Sequence, residues 1–145
     1  MKAHSDVLVA LVALSTIIAS VTPAAPQPSK PPRDPVAIQR KVQRSMELQR
    51  QALQGLSDPP QAEKVVWNAF NQLKSAYDDM VMNASNIKPP DPILALNSRK
   101  AEQALGLVQQ AGDALQARGD NAVEVARDRL QQSLRVTNSL LATGF

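Results

Sequence analysis

Residues 58–87 read DPPQAEKVVWNAFNQLKSAYDDMVMNASNI, and the spacing of their apolar side chains decides the fold. Ala62, Val66, Ala69, Phe70, Leu73, Tyr77, Met80, Ala84 and Ile87 recur at steps of three or four over seven turns. That is the period of one helix face, not the period of two that a half-buried strand would show. The spacing predicts a helix from about Pro59 to Asn86. Asp58-Pro59 in front of it is a start signal: the carboxylate accepts hydrogen bonds from the orphan N–H groups of the first turn, and proline fills a position whose missing N–H costs nothing.

The same pair recurs at Asp34-Pro35 and Asp91-Pro92, each ahead of another helical pattern. A first helix is expected from Pro35 to about Leu56, with Ile38, Val42, Met46, Leu53 and Leu56 in one arc and Arg40, Lys41, Arg44, Glu47 and Arg50 outside it. Lys88-Pro89-Pro90-Asp91-Pro92 ends the second helix, because three prolines cannot continue it. A third is expected from Pro92 to Arg118, with a break near Asn97-Ser98 and an inner face of Ala101, Ala104, Leu105, Val108, Ala111, Ala114 and Leu115. Gly119 is its expected cap. A fourth runs from Asp120 or Asn121 to about Leu141, presenting Val123, Ala126, Leu130, Leu134, Thr137 and Leu141. Long helices joined by short links pack antiparallel, so the expected fold is all-α, an up-down-up-down four-helix bundle over residues 35–143. The likeness of Lys30–Val36 to Lys88–Ile93, and of Phe70–Leu73 to Leu130–Leu134, suggests two related helical hairpins.

The first 34 residues differ in kind. Lys2, an apolar run of 15 residues from Val7 to Val21, and small residues at Thr22, Ala24 and Ala25 have the layout of a secretory signal peptide over residues 1–24. The run is short for a spanning helix, which needs about 20 residues, so no integral membrane span is expected in the mature chain. Prolines at 23, 26, 28, 31, 32 and 35 make residues 25–34 a Pro-rich leader. The expected location is extracellular, or periplasmic in a bacterium. The chain has no cysteine, so the bundle must hold without disulfides. In architecture, though in no residue motif, such a chain resembles bacterial periplasmic helical proteins and the fungal hydrophobic surface-binding and cell-wall mannoprotein group; no residue role is carried over from either.

Catalytic chemistry finds little to work with. The one histidine, His4, falls in the signal segment, which leaves the expected mature chain without the residues of Ser-His-Asp or Cys-His arrangements or of Cys/His zinc sites. No phosphate-cradling glycine-rich loop is present, and Asp78 and Asp79 point about 100° apart on a helix, so they read as a solvated face. The expectation is a protein that is not an enzyme and uses no metal or cofactor.

Charge is uneven beneath the overall +3. Residues 30–50 hold Lys30, Arg33, Arg40, Lys41, Arg44 and Arg50 against Asp34 and Glu47, a net +4, whereas residues 51–145 carry nine basic and ten acidic side chains. The basic character belongs to the first helix. With one Trp, one Tyr and two Phe in the chain there are few stacking platforms, and nucleic acid is not an expected partner.

Two binding readings follow. In the first, an exported interaction protein, such as a secreted effector or a cell-surface protein, docks on a protein or anionic surface through Arg40, Lys41, Arg44 and Arg50, or through a groove beside Trp67 on the flank of the second helix. In the second, a carrier or surface-active protein holds lipid or another apolar ligand in or on the bundle. Asn83-Ala84-Ser85 also fits the N-glycosylation pattern, with Asn83 as acceptor.

Overall fold

The computed structural model describes residues 32–87, 89 and 91–145, and Pro32–Phe145 form one compact unit. The signal-peptide and most of the leader assignments, with Lys30 and Lys88, lie outside the described residues. Four helices follow one another: α1 (Pro35–Gln54), α2 (Pro59–Asn86), α3 (Pro92–Ala117) and α4 (Ala122–Thr143). The packed pairs are α1 with α2, α2 with α3, α3 with α4, and α4 back onto α1. This is the antiparallel four-helix bundle that the short links require.

The Asp-Pro device works at all three sites. Asp34 and Asp91 each accept, through Oδ1, the backbone N–H two residues on, from Val36 at 3.0 Å and Ile93 at 2.9 Å. Asp58 Oδ1 accepts from the Gln61 N–H at 3.4 Å. The matching geometry at Asp34 and Asp91 is what the repeated sequence around them would produce. α3 runs without a break through Asn97-Ser98, since Ser98 donates back to the Leu94 carbonyl at 2.9 Å and leaves the helix intact. Its cap also differs from expectation. The left-handed residue is Arg118 (φ 54, ψ 34), not Gly119.

The interior is made of small side chains. Ala69, Ala76, Ala101, Ala104, Ala111 and Ala126 have no exposed surface, and Val42, Val66, Leu73, Val108 and Leu130 are equally buried among them. Gly112 takes this furthest: a Cβ there would meet Trp67 Cζ2 at 2.6 Å, so α2 and α3 approach over the bare glycine with the indole laid against it. Phe70, which periodicity puts mid-stripe, sits at the flank, half-buried and edge-on to Trp67 with ring centroids 5.7 Å apart. Ala76 and Asn83 are buried in α2 in places that the apolar stripe did not cover.

Polar side chains also enter the core. Ser45 donates to the Ala69 carbonyl at 2.8 Å, bridging α1 to α2, and Ser133 donates to the Ala104 carbonyl at 3.4 Å, bridging α4 to α3. Gln49 is fully buried; its Nε2 donates to Ser45 Oγ at 3.2 Å while its Oε1 has no partner. Hydroxyls that reach a carbonyl are satisfied at little cost, whereas the orphan Gln49 oxygen subtracts from stability. No helix among the described residues is long and apolar enough to cross a membrane.

Candidate functional site

Antiparallel packing gathers the start of α1, the end of α2, the start of α3 and the end of α4 at one end of the bundle. An open cavity of about 390 Å³ lies there. Ile38 and Met80, each 2% exposed, reach it from the core, and Leu94, Ile87, Pro35 and Phe145 form its apolar walls. The sequence reading assigned Met80 to core filling and did not bring these residues together.

Two asparagines hold the walls in place. Asn83 accepts the Arg33 N–H on Oδ1 at 2.7 Å and donates from Nδ2 to the Arg33 carbonyl at 3.0 Å, so it pins the chain entering α1 to the end of α2. Asn97, 1% exposed, donates from Nδ2 to the Gly144 carbonyl at 2.6 Å and accepts from Thr143 Oγ1 at 3.1 Å. Gly144 has φ 77, a left-handed value that glycine adopts without strain, and it turns Phe145 back against the core. A glycan on Asn83 Nδ2 would have to break its pairing with Arg33 and leave a buried position, since Asn83 is 8% exposed.

Exposed apolar side chains gather at the same end of the bundle. Among the described residues the exposed large hydrophobics are Val36, Val81, Ile87, Ile93 and Leu96. By the rise of about 1.5 Å per residue, every one lies within roughly 8 Å of this end along its helix. No separate signal for this stands in the sequence: Ile93, Leu94 and Leu96 fall within an arc of about 160° on a helix, which one broad apolar face can hold.

The basic face of α1 is less free than its composition suggests. Lys41 Nζ lies 2.6 Å from Asp79 Oδ2, and Arg33 Nε lies 3.7 Å from Oδ1 of the same carboxylate. Asp79, with its side chain 14% exposed, is thus an interhelix ion-pair partner and not the solvated group expected from sequence. Arg44 pairs with Glu47 at 3.3 Å. Arg40 and Arg50 are exposed and have no ion pair among the described residues. Arg50 borders an open groove between α1 and α4 with Gln43, Met46, Glu47, Asn138 and Leu141. The Trp67 ring, the other candidate contact, packs against Gly112 and Phe70.

Among the described residues no three His, Cys, Asp or Glu side chains cluster as a metal site would need. Set against protein-family models, curated proteins and solved structures, the chain matches none of them, so the site has to be read from its own geometry.

Proposed function

We propose that the chain is an exported, non-enzymatic, surface-active binding protein that engages apolar matter, lipid chains or an apolar surface, through the open end of its bundle. The observation that carries this reading is the confinement of Val36, Val81, Ile87, Ile93 and Leu96 to the end that also holds the apolar cavity. Apolar side chains scattered singly over a surface need no explanation, but their gathering at the end that holds a concave apolar site supports a contact surface there.

The rival reading, electrostatic docking by α1, draws support from Arg40 and Arg50 alone, because Lys41 and Arg44 have carboxylate partners. The two separate by salt. Retention of the protein on octyl-substituted beads should persist in about 1 M salt, where the Debye length falls to roughly 3 Å. Elution by salt, together with binding to anionic but not neutral vesicles, would instead assign the contact to the basic face.

A further inference from the structure

Adsorption through the exposed apolar side chains does not require a cavity, yet one is present. Its floor is Ile38 and Met80, which belong to the hydrophobic core. Its volume of about 390 Å³ is more than ten times the roughly 30 Å³ share of a water molecule, and it falls within the range of about 300–1,000 Å³ typical of small-molecule sites. The groove beside Arg50 has a similar volume of about 410 Å³, so the apolar floor and not the size sets this cavity apart.

The two asparagines of the lining are paired, and its charged groups stand at the mouth. Asn83 is engaged through both its oxygen and its nitrogen by Arg33, Asn97 through both by Thr143 and Gly144, and Asp34 and Asp91 accept the first N–H groups of their own helices. A polar group carried down to the Ile38 and Met80 floor would lose its water against apolar side chains. The interior thus takes hydrocarbon. The cavity opens to water at its mouth, where Arg33 and the two aspartates present both signs of charge, so the outer end of an occupant stays solvated and is not selected by a single charge. Flexible Met80 in the floor suits an adaptable aliphatic occupant.

We infer that this cavity is a binding site for one aliphatic chain of an amphiphile, with Phe145 as one of its walls. The Asn97 bonds to Thr143 and Gly144 hold that wall in place, with Phe145 packed against the core. The inference rests on the proposed apolar function and gives it a ligand class: a single chain enters the open mouth beside Phe145 to reach Ile38 and Met80.

The test is a titration of the full chain with 1-octanol, followed by methyl NMR. Saturable shifts should appear at Ile38, Met80 and Leu94. Phe145→Ala, outside the helices, should bind about tenfold more weakly, because it removes a wall of the site. Leu94→Trp, which fills the volume, should remove the saturable shifts. Should that variant fail to fold, the Phe145→Ala comparison still decides. Shifts confined to Val36, Ile93 and Leu96 without saturation would overturn the cavity site while leaving the proposed function standing, and unchanged or tighter binding by Phe145→Ala would overturn it as well. Saturable octanol binding by a chain that fails to stay on octyl beads would have the opposite meaning: the cavity site stands and the surface-active reading falls.

Discussion

The two ends of the bundle are built to different rules. At one, four-residue links close α1 onto α2 and α3 onto α4, Gly55 N–H bonds the Gln51 carbonyl at 2.9 Å, and Leu56 is buried at 3% exposure. Toward the middle, alanines and the Trp67–Gly112 contact leave no exposed surface on the inner face. At the other, Ile93 is 58% and Val36 51% exposed beside an open cavity. The closed part shows what this composition can achieve when packing alone is the requirement. Large apolar side chains left in water at the open end add nothing to fold stability, so their physical use is contact with something else.

This contrast is sharpest in the cost of losing a leucine. Leu73→Ala, at a site with no exposure, should cost about 2–5 kcal/mol, whereas Leu96→Ala, 47% exposed, should stay within about 0.5 kcal/mol. Denaturant midpoints check both, and equal losses would erase the distinction between the two regions. Phe70→Ala belongs between them, because the ring is only half-buried.

Next in size is the α2–α3 approach. Gly112→Ala sets a methyl 2.6 Å from the indole and should cost about 1–3 kcal/mol, with a red shift of Trp67 emission as the ring is pushed outward. A neutral result with unchanged fluorescence would mean that the helices are less tightly apposed than the contact requires.

The end with the four-residue links is not flawless: a cavity of about 270 Å³ lies beside Pro59, Leu115 and Val123, and Arg118 is strained. Arg118 occupies a left-handed conformation that disfavours any residue with a Cβ, so Arg118→Gly should raise stability by about 1 kcal/mol in thermal or chemical unfolding. A loss would mean that the arginine side chain contributes more than its backbone costs.

The smallest effect concerns charge. Asp79→Asn removes the partner of Lys41 and Arg33 and should cost up to about 1 kcal/mol at low salt, less as salt rises, because both cations are partly exposed. A salt-independent loss would instead point to packing around the carboxylate.

Much of the fold was legible in the sequence because its signals are local. Asp-Pro pairs mark helix starts through bonds two or three residues long, and the three-four spacing marks the buried face of α2 within a residue or two. What was not legible depends on partners distant in the chain. Gln49 and Asn97 are polar and buried only because Ser45, Thr143 and Gly144 stand beside them. Gly112 reads as an indifferent residue until Trp67 covers it. The candidate site was the least visible part, since it joins Ile38, Met80, Leu94 and Phe145 from four different elements. Periodicity extended the α2 stripe to Ile87 without showing that the bundle ends there and leaves that residue 42% exposed.

The most direct test of the division between a closed, stabilising region and an open, contacting one is a single paired measurement on the double variant Ile93→Asp, Leu96→Asp. Its unfolding midpoint and its retention on an octyl surface are to be compared with the wild-type chain and with Arg40→Glu, Arg44→Glu, Arg50→Glu. The account predicts that the apolar double variant keeps its stability within about 0.5 kcal/mol and loses retention, while the charge-reversed triple variant keeps both. Retention that survives in the double variant and vanishes in the triple would contradict it and place the contact on the basic face of α1.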